Sequence, residues 1–113
     1  MIKVYGIKSC GSVKKALSFF KTHNIECELH DFKVEKISSD KVSSWLKRVD
    51  IKTLFNSKST TYKKFNLKEL NLDDKAKEEW LCKENLLIKR PVVEFKDKVI
   101  VGFDEEIYKG VFL

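Results

Sequence analysis

Apolar residues change their spacing several times along the chain, and each change marks an element. Ile2, Val4, Tyr5 and Ile7 crowd a short stretch that predicts a strand. From Ser12 the spacing lengthens. Val13, Ala16, Leu17 and Phe20 fall at i, i+3, i+4 and i+7, one face of a helix that Asn24 closes. Ile25 to Phe32 alternates loosely and predicts a second strand. Strand, helix and strand within about 30 residues make a βαβ unit, so the two strands are expected to be parallel with a right-handed crossover.

A helical stretch follows. Ser38 or Ser39 is placed to cap a helix carrying Val42, Trp45, Leu46 and Val49. Ile51, Leu54 and Phe55 continue as a helical turn, and Asn56 to Thr61 is a polar loop. Tyr62 to Leu70 predicts short helical turns. Asn71 to Asp74 then opens a helix with Ala76, Trp80 and Leu81 inward and Asn85 at its end. Pro91, the one proline, stands before an apolar strand of Val92, Val93 and Phe95. Asp97-Lys98 is expected to make a tight turn, Val99 to Val101 returns antiparallel, and Gly102 ends the hairpin. Asp104 caps a last helix that buries Ile107, Tyr108, Val111 and Phe112. The order βαβ, helical insert over about 38–86, then ββα predicts an α/β fold in a single domain, 1–113. Its simplest sheet places the parallel pair beside the C-terminal hairpin.

Composition narrows the function classes. Charged residues are 35% and hydrophobic residues 42%, as in a soluble globular protein. No apolar run approaches a membrane span, and the first residues already read as a strand rather than a leader, so a cytoplasmic location is expected. The net charge is +6, but the lysines are scattered and interleaved with acids, with no aromatic-basic platform, so direct nucleic-acid binding is not expected. Only Arg48 and Arg90 are arginines. Cys10, Cys27 and Cys82 are too few and too widely spaced for a disulfide scaffold or a zinc site, so neither a metal nor a bound cofactor is expected.

Cys10 carries the candidate chemistry. It lies where the first strand turns into the first helix. The opening N–H groups of a helix lack internal partners and carry partial positive charge. A thiol placed there is favoured as thiolate, its nucleophilic form. The amides around Gly11 and Ser12 are the corresponding anion donors, and Lys14, with Lys8, adds positive charge. Cys27 reads as a strand-core residue. His23 reads as a helix-end residue, and His30 as a strand-surface residue rather than a base.

Tyr5-Gly6-Ile7-Lys8 followed by Cys10, Ser59-Thr60-Thr61-Tyr62-Lys63-Lys64, and Leu87-Ile88-Lys89-Arg90-Pro91-Val92-Val93 resemble the motifs of the ArsC/Spx family. That family holds glutaredoxin-linked arsenate reductases, the RNA-polymerase-binding regulator Spx and a YffB-like branch. Gly6-Ile7-Lys8 and Lys14-Lys15-Ala16 are most similar to the YffB-like branch, and the resemblance spans nearly the whole chain. It implies a thioredoxin-like fold with a four-stranded mixed sheet and a cis peptide before Pro91. It also implies a catalytic Cys10 beside an anion-binding Arg90, whose planar guanidinium can hold an oxyanion at two points where lysine cannot. The function it implies is a reductase with a single reactive cysteine, acting on an arsenate-like oxyanion or a glutathione mixed disulfide. Glutathione, another small thiol or a glutaredoxin-like protein would resolve the intermediate. The alternative is an Spx-like regulator that binds RNA polymerase. Three positions depart from the family's patterns. Lys58 stands where the reductases carry arginine, no arginine occurs around Gly102-Phe103, and Val13 replaces the second cysteine of the Spx Cys-x-x-Cys. Lys58 is kept as a supporting cation. Cys82 could resolve the intermediate only if the insert brings it near Cys10.

Overall fold

A computed structural model describes all residues, Met1–Leu113, and divides them into two compact units. The first comprises Met1–Val34 and Arg90–Leu113; the second is Glu35–Lys89.

In the first unit, strands β1 (Ile2–Gly6), β2 (Cys27–Asp31), β3 (Val92–Phe95) and β4 (Lys98–Val101) form one sheet in the order β2-β1-β3-β4. β1 and β2 are parallel, with Val4 opposite Leu29. β3 runs antiparallel to both β1 and β4, with Val93 opposite Val4 and Ile100. This is the α/β, thioredoxin-like mixed sheet. Its helices are α1 (Gly11–Thr22) and α6 (Glu105–Phe112). Alternation along β1 sends Ile2 and Val4 into a cluster with Val13, Ala16, Phe19 and Phe20 of α1, Val93 of β3 and Tyr108 of α6. Each large apolar side chain fully buried there contributes about 1.5–3 kcal/mol. Tyr108 is central: its ring stacks on Phe20 at 5.7 Å, and its hydroxyl donates to the Gly102 carbonyl at 2.8 Å. Burial pushes that hydroxyl's pKa well above its ordinary value.

Local signals explain the element ends. Asn24, just past α1, takes the left-handed conformation (φ 56°) that asparagine tolerates. Asp104 accepts from the amides of Glu106 (3.0 Å) and Ile107 (3.2 Å), capping α6. Ile107, expected inside, is 54% exposed, because the eight-residue α6 turns a narrow stripe led by Tyr108 toward the sheet. The hairpin turn is Lys96-Asp97, one residue earlier than expected. Lys98 already belongs to β4, and Lys96 takes the left-handed conformation (φ 55°).

The second unit holds α2 (Ser39–Leu46), α3 (Ile51–Leu54), α4 (Thr60–Lys64) and α5 (Asp74–Lys83), with 3-10 turns at Leu67–Leu70 and Asn85–Leu87. Ser38, Asp50, Ser59 and Asp73 cap the four helices in order. Val49 falls outside α2, because the chain breaks before the Asp50 cap. Asn85 does more than end α5. It is buried, accepts from the Ile37 amide at 2.8 Å, and donates through Nδ2 to the Leu81 carbonyl at 2.9 Å.

Candidate active site

Gly6 explains how the turn into α1 is built. A Cβ there would come 2.5 Å from Val13 Cγ2, so only glycine lets the end of β1 press against the first turn of α1. Between them, Cys10 donates its amide to the Ile7 carbonyl (3.2 Å) and accepts at its own carbonyl from Lys14 N (3.0 Å). Cys10 is the N-cap of α1, in extended conformation, and its side chain makes no capping hydrogen bond. Its thiol is half-buried against the core cluster. No acidic residue stands in the first turn of α1, so the partial positive charge of the Gly11, Ser12 and Val13 amides is not offset locally.

The sheet register decides what stands beside this turn. Tyr5 pairs with Val92, so the step beyond Gly6 on β1 faces the step before Val92 on β3. That step is the Arg90–Pro91 peptide, which is cis. Pro91 is buried, and its carbonyl accepts from Gly102 N at 2.8 Å. Cys10 and Arg90 therefore leave the same end of the sheet on neighbouring strands. Arg90 is half-buried and forms no salt bridge with any acid. An arginine held as a surface ion pair would show one.

The other candidates are divided between the two units. Lys8 and Lys14 are exposed; the Lys8 amide donates to Asp31 Oδ2 at 3.3 Å. Lys14 lines a shallow groove along α1 with Phe19, His23 and Phe103. Lys58 lies in the second unit, exposed, its amide donating to Asn56 Oδ1 at 3.1 Å. Ser59 caps α4 by accepting from Tyr62 N at 3.1 Å. Cys82 lies on α5, also in the second unit. Cys27 lies on β2, and burial raises its thiol pKa. His23 is the exposed C-cap of α1.

His30 differs from its expected surface position. It is half-buried and stacks on Tyr5 at 4.8 Å, with the planes 21° apart. Its Nε2 is shielded and lies 3.0 Å from Glu28 Oε1, within ion-pair reach but without hydrogen-bond geometry. Tyr5 in turn donates to Glu94 Oε1 at 3.1 Å. The signal lay in the pairing of β1 with β2, which sets Tyr5 opposite His30.

A Haemophilus influenzae protein of uncharacterized role is 37% identical over 99% of both chains. The solved structure of a protein named YFFB covers all of both chains at 28% identity, with a TM-score of 0.92. That of an arsenate reductase (ArsC) related protein from Brucella melitensis covers 98% of this chain and 93% of its own, at 32% identity and a TM-score of 0.77. The Global transcriptional regulator Spx of Lactiplantibacillus plantarum is 23% identical over 94% of this chain and 82% of its own. The family model of the ArsC family matches residues 5–111, and the chain belongs to that family.

Proposed function

We propose that the protein is a thiol-dependent reductase with Cys10 as its single nucleophile. The observation that carries this reading is the pairing of an unblocked N-terminus of α1, capped by Cys10, with the half-buried, unpaired Arg90 at the same sheet end. Similarity to the arsenate reductase related protein of Brucella melitensis supports the reaction class.

With a mixed disulfide of glutathione, the Cys10 thiolate attacks the glutathionyl sulfur. A Cys10–glutathione disulfide forms, and the substrate leaves as thiolate with the electron pair of the broken S–S bond. An external thiolate, from glutathione or a glutaredoxin-like protein, then attacks that disulfide and returns Cys10 as thiolate. With an arsenate-like oxyanion, the thiolate attacks the central atom, and one hydroxyl of the oxyanion takes a proton from solvent and leaves as water. A second thiolate then attacks the Cys10 sulfur. The bond from that sulfur to the central atom breaks with its electron pair left on the central atom, which departs reduced by two electrons. The Cys10 mixed disulfide so formed is resolved by a further external thiolate as above. In both cases Arg90 and the amides of Gly11 and Ser12 hold the anionic part of the substrate. Val13 at the third position after Cys10 leaves no neighbouring thiol to resolve the intermediate, so the co-substrate thiol is part of the proposal.

The test is turnover of a glutathione mixed disulfide, and separately of arsenate, with glutathione and glutaredoxin present. Cys10→Ser should abolish turnover. Arg90→Lys should lower kcat/KM about 10- to 100-fold, the loss expected for one two-point charged contact. Full activity in Cys10→Ser would refute the proposal. A second reading, favoured by the similarity to Spx regulators, is a non-enzymatic regulator that binds RNA polymerase. Polymerase binding retained by Cys10→Ser in a chain without reductase activity would select it.

A further inference from the structure

A cavity of about 330 Å³ opens in the second unit, lined by none of the residues assigned above. Its floor is apolar: Phe55 and Leu67 are 6% and 1% exposed, and Tyr62 meets the Phe55 ring edge-on at 5.9 Å. Its rim carries Lys52, Lys68 and Lys77, and no acidic residue lines it. None of the three lysines makes a salt bridge. Lys77 is half-buried, its ammonium 5.8 Å from the centre of the Phe55 ring, in cation–π range. Lys52 also lies near Asp50. That carboxyl is held below its ordinary range chiefly by hydrogen bonds to Thr53, with Lys52 the smallest contributor. Left-handed Asn66 (φ 52°) and Asn71 (φ 46°) bracket the Leu67–Leu70 turn, whose Leu67 faces the floor while Lys68 stands at the rim.

Three cations around an aromatic floor, with no carboxylate in the cavity lining, define a ligand by chemistry. A lone inorganic anion would leave the floor wet, and a neutral ring would leave the charge unmatched. We propose that this cavity binds a small organic phosphate, its ring against Phe55 and Tyr62 and its dianionic head among Lys52, Lys68 and Lys77. The volume is at the lower end for ligand pockets, so a single ring fits better than a dinucleotide.

The test titrates phenyl phosphate into the uniformly 15N-labelled full chain, with inorganic phosphate and phenol as separate controls. The shifted amides should be those of Phe55, Tyr62 and residues 67–72, and phenyl phosphate should bind at least about tenfold tighter than either control. Lys68→Gln with Lys77→Gln should weaken binding at least about tenfold, as expected for loss of two charged contacts. Should that variant lose its fold, Lys52→Gln with Lys68→Gln, both at exposed positions, takes its place and should weaken binding likewise. Shifts centred on Gly11–Val13 or Arg90, shifts spread over lysines at large, equal binding of inorganic phosphate, or unchanged affinity in the variants would each overturn the assignment.

Discussion

The close approach of β1 to α1 at Gly6 can be measured. Gly6→Ala places a methyl 2.5 Å from Val13 Cγ2, well inside contact distance. Val13 is 0% exposed and β-branched, so its χ1 has one comfortable setting in a helix and the methyl has nowhere to turn. Overpacking of this kind costs about 1–3 kcal/mol. Against it, alanine lowers the entropy of the unfolded chain, worth about 0.4–1 kcal/mol in favour of folding. The net expectation is a loss of about 1–2 kcal/mol, read as a lower urea midpoint at unchanged m-value. The decisive comparison uses Val13→Ala as background, where the clashing Cγ2 is gone. There Gly6→Ala should cost nothing or stabilise slightly, giving a coupling energy of about 1–3 kcal/mol in the double-mutant cycle. Gly11→Ala, whose Cβ would meet open space, is the control and should not destabilise. The reasoning is refuted if Gly6→Ala is harmless beside Val13, or costs the same in both backgrounds.

Other expectations follow from single contacts. Asn85→Ala strands the Ile37 amide and the Leu81 carbonyl inside the second unit and should cost about 2–3 kcal/mol by urea denaturation. Asp104→Ala removes the acceptor for two amides of α6 and should cost about 1 kcal/mol in the same assay. Tyr108 stays protonated in the folded chain above the pH, near 10, at which an unfolded tyrosine ionises. The unfolded state then binds fewer protons, so its share of stability is complete below pH 10. Above that it is lost, by up to about 1.4 kcal/mol per pH unit. Tyr108→Phe should remove that part of the alkaline slope in pH-resolved urea melts.

The first unit was largely legible because its elements declare themselves locally. The i, i+3, i+4, i+7 stripe from Val13 to Phe20 and the Asp104 cap each carry their own signal. The errors came where tertiary context decides. Lys96 adopts a left-handed conformation usually left to glycine or asparagine, which moved the turn by one residue. Ile107 lost its expected burial because one short helix has room for one inward stripe, and Tyr108 takes it. His30 is covered by Tyr5, a neighbour set by strand register rather than by spacing. The placement of Arg90 beside the Cys10 turn rested on motif resemblance until the pairing of Tyr5 with Val92 gave it a geometric reason. The second-unit cavity left no trace in the sequence, because its lysines and aromatic floor are scattered over residues 52–77.

The central claim is that Cys10 is a nucleophile with an anion-binding arginine beside it. The direct measurement is the alkylation rate at each cysteine at neutral pH, resolved by mass spectrometry, with neutral iodoacetamide and anionic iodoacetate compared. Cys10 should react at least about tenfold faster than Cys27, whose thiol pKa is raised by burial. Its iodoacetate-to-iodoacetamide ratio should fall about threefold or more in Arg90→Gln, as expected when a partly exposed charge contact is removed. A Cys10 no faster than Cys27, or a ratio indifferent to Arg90, would contradict the account.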